Sequence, residues 1–510
     1  MNKPEPTPRA SHVNFGTAVA RDALRWPEHD GPVLGMPKLH LETEERATVT
    51  RYGGLALVEQ FCRRFDVAPT IDERVEVLRQ HKPYHESDHV LAQVLNLYAG
   101  GSCIEDMMCL QHDEAVRRMM GACRLPDPTT AGDFLRRFDS GEHPDALAGL
   151  RAASDDIAGR VWRKLARNKR RRRKRDWCVV DIDSHVKPLY GVQKQDADFS
   201  HKGTWSYHPL MVSMAATGEC LAVRNRPGNA ESSDGSAALV DEVLERISEH
   251  FDRVLVRGDS AFDRQGLREV IEHHDGYFAF VGRAYAGRPE LAATIPDLAF
   301  RPFRTRAHRQ RQERRRDDRY QPRRKKRNLK AKRTRERGWR NRQLVKQSVA
   351  ETSCQPPKQP NVYRFIVRRQ LIANHQGQQH LFDEHRDRYV ITNLPASVSA
   401  EEVIDMTYER CDQENVIEQM GSGLAAWRMP VAEFDGNAAW LEIARLAWNI
   451  AKWIAQLALP EEVMRWEWKR FRLHYVLVPA QLIKRARQVW VRLMGARDTI
   501  DPLLLAFESL

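Results

Sequence analysis

Two absences in the sequence narrow the class of protein first. The eight cysteines among 510 residues form no Cys-x-x-Cys pair, and their spacing matches neither a zinc site nor a disulfide framework. The chain also lacks an apolar run of the ~18 residues that span a membrane, because the richest window, 438–459, contains Glu442, Arg445 and Lys452. The start of the chain is polar, so no signal peptide is expected. These features predict a reducing, cytoplasmic compartment and no membrane partner.

Basic charge is concentrated in two segments. The formal net charge is +13. Residues 160–175 contain 11 Lys and Arg and no acid, and residues 301–340 contain 20 Lys and Arg against four acids, so the rest of the chain is net acidic. Charge runs this dense either lie solvated or bind phosphate backbones. As phosphate-binding candidates we select Arg171, Arg172, Arg315, Arg324 and Lys325.

The order of predicted elements indicates an α/β core. Residues 53–140 have helical spacing, with Thr130 and Asp133 predicted as a capping box. The β-branched segment 177–183 predicts a buried strand, and 208–229 predicts a hairpin turning at Thr217-Gly218-Glu219. Helix, strand, helix and strand follow. This order resembles the ribonuclease-H-like arrangement, a mixed sheet that starts with antiparallel strands.

Two helices are predicted in the second half. Residues 399–420 form one helix, which Ser399 can cap and whose first turn is acidic. Residues 437–458 form an amphipathic helix. Its apolar stripe includes Trp448, and its polar stripe consists of Glu442, Arg445, Asn449, Lys452 and Gln456.

The predicted domain organisation is a ribonuclease-H-like catalytic core with an insertion, flanked by helical regions. The predicted parts are a polar tail (1–45), a helical DNA-binding region (46–140), a basic linker (141–176), the first part of the core (177–285), a basic insertion (286–361), the second part of the core (362–425) and a C-terminal helical region (426–510). For the helical region 46–140, the pattern alone fits a purely structural helical cap as well as DNA binding.

Three carboxylates stand where they could face one cleft. Asp183 and Asp259 end predicted strands, and Glu414 lies within a predicted helix one turn after Arg410. Clustered carboxylates need a cation, and oxygen ligands favour Mg²⁺ or Mn²⁺. Each acid alone could instead be a strand-end cap or a salt-bridge partner. Asp181 lies on the same strand face as Asp183, so the pattern does not choose between them.

The Asp259 segment also contains an Arg-Gly-Asp tripeptide. Cell adhesion through that tripeptide conflicts with the predicted cytoplasmic compartment. Arg257 and Gly258 are therefore interpreted as incidental neighbours of Asp259.

The sequence resembles bacterial insertion-sequence transposases of the DDE class, in the branch with a Tyr-Arg-Glu signature on the last catalytic helix. The matching segments, over about 53–138, 177–284 and 362–458, include SDHVLAQVLNLYAGGSCIEDM, MMGACRLPDPTTAGDFLRRF, VVDIDSHV, LYGVQKQ, HKGTWSYHPL, TGECLAVRNRPGN, VLVRGDSAF, YVITNLP, YERCDQENVIEQ and NAAWLEIARLAWNIAKWI.

The resemblance implies specific roles for residues. Asp183, Asp259 and Glu414 match the metal-binding acids, with two Mg²⁺ or Mn²⁺ ions. Tyr408 and Arg410 match the signature residues that hold phosphates, and Lys202 lies in a matching segment expected to contact DNA. The expected partners are double-stranded DNA, as transposon ends and target, and a second copy of the chain in a synaptic complex. The expected location is the bacterial nucleoid.

The sequence departs from the family pattern at three positions. His185 stands where Thr is usual, and Glu418 and Gly421 stand where Lys is common. Loss of these lysines weakens phosphate binding unless another cation, such as Arg428, compensates. Two alternatives therefore stay open, a catalytically inactive DNA-binding derivative and a different ribonuclease-H-like nuclease.

Overall fold

The structure is a computed structural model. It describes residues 34, 38–44, 47–167, 177–283, 287–315, 328–338, 342–357, 359–374 and 384–510. The chain divides into two units, Met1–Ala47 and Thr48–Leu510, and every element below belongs to the second. The predictions for Arg171, Arg172, Arg324 and Lys325 lie outside the described residues.

A helical region precedes the sheet, as predicted for residues 53–140. Its elements are β1 (Thr48–Thr50), α1 (Leu55–Arg64), α2 (Val67–Arg74), α3 (Glu86–Ala99), α4 (Met108–Gln111), α5 (Glu114–Met119), α6 (Pro128–Arg136) and α7 (Ala146–Ala166). The segment predicted as a basic linker (141–176) contains the whole of α7, which buries Trp162. The predicted cap at Thr130 is wrong, because α6 begins after Asp127, whose carboxylate accepts the Thr130 N–H. Pro128 fits the first turn because its missing N–H needs no partner there.

A mixed sheet follows, with two helices packed on it. The next elements are β2 (Cys178–Ser184), β3 (Lys187–Pro188), β4 (Asp198–Phe199), β5 (Trp205–Tyr207), β6 (Leu210–Met214), β7 (Cys220–Arg224), α8 (Ser236–Ser248), β8 (Val254–Gly258), α9 (Gln265–His273) and β9 (Tyr277–Gly282). Of these, β3, β4 and β5 form a separate small sheet. The strand order β9-β8-β2-β6-β7 has parallel pairs at β2–β8 and β8–β9 and antiparallel pairs at β2–β6 and β6–β7. This is the ribonuclease-H-like topology that the sequence predicted.

The second half of the chain extends the sheet beyond β9. The next elements are α10 (Arg288–Ala293), β10 (Arg301–Pro302), α11 (Arg306–Arg315), α12 (Leu329–Glu336), β11 (Arg342–Cys354), β12 (Tyr363–Asn374), β13 (Glu384–Thr392), α13 (Ala400–Tyr408) and α14 (Cys411–Glu418). Strands β10 to β13 are antiparallel and join the sheet where β13 pairs with β9, which gives nine strands. Strand β11 therefore belongs to the core sheet, although its sequence lies in the predicted insertion.

The helix predicted over 399–420 is two helices. Ser399 caps α13 with Glu402, as the acidic first turn indicated. The chain then breaks at Glu409 and Arg410 before α14 begins, and a π-helical turn, Gln419–Gly423, follows α14. Arg410 thus occupies the N-cap of α14.

The C-terminal region centres on one buried helix. Its elements are α15 (Phe434–Ala458), α16 (Trp468–Tyr475), β14 (Ala480–Arg485), β15 (Gln488–Leu493) and α17 (Arg497–Ser509). Helix α15 contacts α1, α3, α6, α7, α17 and β7. Its polar stripe is buried like its apolar stripe, because the charged groups pair inside: Arg445 Nε lies 2.6 Å from Glu442 Oε2, and Arg151 Nε lies 3.0 Å from Glu442 Oε1. None of the helices in the described parts of the chain is both long and apolar enough to cross a membrane.

The Thr217-Gly218-Glu219 turn joins the sheet to α15. Gly218 has φ +72°, which glycine adopts without strain. The buried Glu219 carboxylate accepts hydrogen bonds from Trp162 Nε1 (2.9 Å), Trp453 Nε1 (2.8 Å) and Gln456 Nε2 (2.7 Å). A buried carboxylate is tolerated when donors satisfy its oxygens. This residue therefore links β7, α7 and α15.

Replacing Glu219 with Gln tests this link. The substitution replaces one carboxylate oxygen with an NH₂ group, which cannot accept a hydrogen bond from the surrounding N–H donors of Trp162, Trp453 and Gln456. Because buried donors are then left unpaired, we expect a loss of about 1–3 kcal/mol in the free energy of unfolding. Urea denaturation measures the loss. The exposed Glu249→Gln is the control and is expected to leave stability unchanged; an equal effect of both variants would contradict this role of Glu219.

Candidate active site

Asp183 and Asp259 lie at one edge of the sheet because β2 and β8 run parallel. The register pairs Asp181 with Arg257. Asp183 and Asp259 each lie two residues further along, at the carboxyl ends of adjacent strands. Successive alternate residues of a strand share a face, so Asp183 points to the same side as Asp181. The predicted placement of both acids at one edge is therefore confirmed.

The Asp183 carboxyl is partly buried beside a like charge. Burial raises the pKa of Asp183, and the nearby Asp259 raises it too, while Arg410 opposes the rise. Arg410 Nη1 lies 2.8 Å from Asp183 Oδ2. Asp183 Oδ1 accepts the Ser184 N–H at 2.8 Å. A carboxylate oxygen has two lone pairs, so both oxygens keep acceptor capacity.

Asp259 is held by the turn that follows β8. Its Oδ1 accepts the Ala261 N–H at 2.7 Å, and its carbonyl accepts the Phe262 N–H at 3.2 Å. A Cβ on Gly258 would lie 2.8 Å from Phe262 Cβ, closer than real Cβ atoms approach. Gly258 is therefore needed for the tight turn that presents Asp259.

The structure separates Asp181 from Asp183. Asp181 is fully buried and forms a two-pronged ion pair with the buried Arg257, with Nε to Oδ1 at 2.6 Å and Nη2 to Oδ2 at 2.7 Å. Paired in this way, Asp181 serves as an anchor in the sheet, whereas Asp183 stands at its edge. The interpretation of Arg257 and Gly258 as incidental neighbours is wrong for both residues. The signal was available in the sequence: a second charged residue on a buried strand needs a partner.

Arg257 and Gln413 connect these strands to the helices that follow. Arg257 Nη1 also donates to the Met406 carbonyl in α13. The buried Gln413 Nε2 donates to the Asp181 carbonyl (2.9 Å) and the Met211 carbonyl (3.2 Å), which fixes α14 on β2 and β6. Sequence reasoning missed Gln413, whose only signal was a polar residue beside a predicted acid.

Glu414 follows Gln413 and is exposed. It lies one turn after Arg410, so the two side chains share a face of α14. Because Arg410 contacts Asp183, the N-terminal end of α14 lies at the edge of the sheet that carries both aspartates.

The three carboxylates do not form a closed ligand cluster. Within the described residues, the group of ligand atoms that all lie within 4.8 Å of one another is that of His81, His85 and Glu86. The His81 and His85 rings stack almost parallel, at 10°, so their in-plane lone pairs do not converge on one ion. Glu86 Oε1 is already occupied by the Val77 and Leu78 N–H groups. We therefore do not assign a metal centre to this group.

The remaining predicted DNA contacts differ in setting. Tyr408 is partly buried, with the Arg368 guanidinium 5.0 Å from its ring centroid. Lys202 is exposed in the loop between β4 and β5. Arg315 is the last residue of α11, and the described part of the chain stops there before resuming at residue 328. Their contacts with DNA stay predictions.

The sheet order places the protein in the class of ribonuclease-H-like folds. The sequence profile of the family described as "Transposase DDE domain group 1" matches residues 37–510. The chain belongs to this family. It is a DNA transposase, and its chemistry is metal-dependent cleavage of DNA followed by strand transfer.

Comparison with solved structures finds a piggyBac transposase synaptic complex with hairpin DNA, determined by cryo-EM. The identity is 9%, the match covers 84% of this chain and 81% of that one, and the TM-score is 0.36. At this TM-score the likeness supports no argument about the site. A comparison with curated proteins gives no match.

Replacing Arg257 with Met tests the anchor described above. The variant leaves Asp181 charged, buried and unpaired, which costs about 3–5 kcal/mol of unfolding free energy. Arg264, whose pair with Glu231 is exposed, is the matched control, and Arg264→Met should cost less than about 1 kcal/mol. Adding Asp181→Asn to Arg257→Met should recover part of the loss in urea denaturation. Equal losses for the two arginine variants would contradict the anchor.

Proposed function

We propose that Asp183, Asp259 and Glu414 are the metal-binding acids with which this transposase cleaves DNA at terminal inverted repeats and joins it to target DNA. The observation that carries the proposal is the register of β2 and β8, which aligns Asp183 with Asp259 while Arg257 neutralises Asp181. Glu414 shares a helix face with Arg410, which contacts Asp183. We propose that the three carboxylates converge on a cation at the end of the central strands.

The donor set fits a hard divalent cation. All three side chains offer oxygen, which Mg²⁺ and Mn²⁺ prefer. Burial and the adjacent Asp259 raise the pKa of Asp183, so a cation at this edge would stabilise both charged forms. A pair of such ions would supply activation of a water or a 3′-hydroxyl and charge for the leaving oxygen.

Other residues of the chain orient these carboxylates. Arg410 donates to Asp183 Oδ2 and sets the direction of that carboxylate. Gln413 fixes the height of α14 above the sheet through two backbone carbonyls. Glu414 is therefore carried by a rigid element, which suits a site that needs its ligands positioned in advance.

The partners proposed are transposon-end and target DNA, with a second copy of the chain holding the other end. The two basic segments support contact with phosphate backbones, since each neutralised phosphate strengthens binding at low salt. We propose the bacterial insertion-sequence origin and the nucleoid location on the resemblance of the sequence motifs.

An inactive DNA-binding derivative is the second candidate. His185, Glu418 and Gly421, which replace the usual Thr and two lysines, favour it. The intact set of three acids favours activity.

Nicking of labelled terminal-repeat DNA in Mg²⁺ or Mn²⁺ tests the proposal. Asp183→Asn, Asp259→Asn and Glu414→Gln should each lower the rate on the order of 10³-fold, since metal charge stabilises the transition state by several kcal/mol. The exposed Asp252→Asn is the matched control and should nick at the wild-type rate.

Three results would decide against the proposal. Wild-type rates for the three acid variants would remove these residues from the site. Tight binding of the ends without nicking in either metal would make the protein an inactive derivative. Cleavage of branched DNA without preference for the repeats would indicate a different nuclease.

A further inference from the structure

A cavity of about 510 Å³ lies beside the end of β2. Its walls come from four separate parts of the chain: Ser102, the segment just after Asp183, the end of α14 with its π-helical turn, and the turn at 426–428. The residues relevant to binding are His185, Lys187, Glu418, Gly421, Trp427 and Arg428. His185 is two residues from Asp183, so the cavity adjoins the proposed acids.

The cavity contains two cations that are not neutralised within it. Lys187 is half-buried, and among the described residues its ammonium has no carboxylate within ion-pair distance. Burial lowers the pKa of Lys187, and the charge of Arg428 lowers it further. Arg428 Nε donates to the Ser102 carbonyl at 2.7 Å, which aims the guanidinium while leaving its charge uncompensated. Two neighbouring cations repel, so this arrangement favours an anion between them.

The turn that carries Arg428 is flanked by two residues with unfavourable backbone geometry. Ala425 (φ +62°) and Met429 (φ +52°) bracket it, and both are non-glycine residues in the left-handed region. Lys194 Nζ donates to the Met429 carbonyl at 2.6 Å. Strained residues and π-helical turns are concentrated at functional sites.

The missing lysine at position 421 has a steric explanation. A Cβ on Gly421 would overlap the Trp427 indole, whose Nε1 donates to the Ile417 carbonyl at 3.0 Å. The π-helical turn therefore cannot carry a side chain at this position without displacing Trp427. Arg428, next to Trp427, and Lys187, across the cavity, bring positive charge to the same place from other elements.

We infer that this cavity binds a backbone phosphate of the DNA strand next to the scissile bond, with Lys187 and Arg428 as its cations. His185 lines the same cavity and contributes ring nitrogens that can hydrogen-bond to a phosphate oxygen. The ring stands 5.4 Å from the Trp427 ring, which fixes its position. Glu418 on the cavity wall opposes the anion and limits affinity. The inference rests on the proposed DNA-cleaving function.

Single-phosphate neutralisation provides the test. A series of terminal-repeat duplexes is prepared, and in each duplex a different single phosphate near the cleavage site is replaced by an uncharged methylphosphonate. The affinity for each duplex is measured for the wild type, Lys187→Met and Arg428→Met. For the wild type we expect one position to weaken binding about tenfold. At that position the two variants should show little further loss, because the partner of the phosphate is already gone. Each variant should also lower the salt dependence of binding by about one unit of slope.

Two controls keep the outcome decisive. Lys484→Met removes an exposed lysine outside the cavity and should retain the wild-type response to every methylphosphonate. Glu418→Gln removes a negative charge from the cavity while Lys187 and Arg428 stay in place, so it should tighten binding of unmodified DNA several-fold. This variant still tests the phosphate site if Lys187→Met or Arg428→Met does not fold.

The inference is overturned if the variants keep the wild-type response at the sensitive phosphate, or if Glu418→Gln leaves affinity unchanged. Nicking by the wild type separates this failure from that of the proposed function. A wild type that nicks the ends while the cation variants show no coupling refutes only the phosphate site. A wild type that neither binds nor nicks refutes both.

Discussion

The buried ion pair between Asp181 and Arg257 is the contact on which the geometry of the catalytic region depends. It joins two parallel strands in the one register that places Asp183 beside Asp259. Through the Met406 carbonyl, the same guanidinium also holds α13, which leads directly into the Arg410 turn. Removing one partner of such a pair leaves a buried charge without solvent or a counter-charge, which is strongly destabilising. The loss would disturb the alignment of the two strands and therefore of the whole site. Two charged residues that perform no chemistry thus determine where the chemical groups stand.

The same principle explains what the sequence could and could not predict. Asp183 and Asp259 were found because a buried strand that ends on a carboxylate is visible as a local pattern, and the Thr217-Gly218-Glu219 turn was found in the same way. The choice between Asp181 and Asp183 needed a partner 76 residues away, which no local pattern contains. The amphipathic pattern of α15 does not show that its polar stripe is buried. That burial depends on charge pairing with residues of α7 such as Arg151, which are distant in sequence. The break at Arg410 was also missed, because helical spacing continues across it.

The departure from the family pattern at Gly421 has a physical basis in packing. Trp427 packs against the backbone at Gly421, so packing excludes the usual lysine there. The charge returns in Arg428 and Lys187, which belong to other elements but line the same cavity. The requirement at such a position is a cation near a phosphate rather than a particular residue, because the attraction depends on charge and distance. Loss of a motif residue is therefore weak evidence for loss of activity when a neighbouring element supplies the charge.

Iron-directed backbone cleavage tests the central claim, that Asp183, Asp259 and Glu414 surround one metal site, most directly. Fe²⁺ replaces Mg²⁺ in the full-length protein, and ascorbate with peroxide generates radicals that cut the chain close to the bound ion. We predict fragments that end near residues 183, 259 and 414, and their suppression by excess Mg²⁺. Cuts confined to the neighbourhood of His81, His85 and Glu86, the one tight group of ligand atoms in the described residues, would contradict the account.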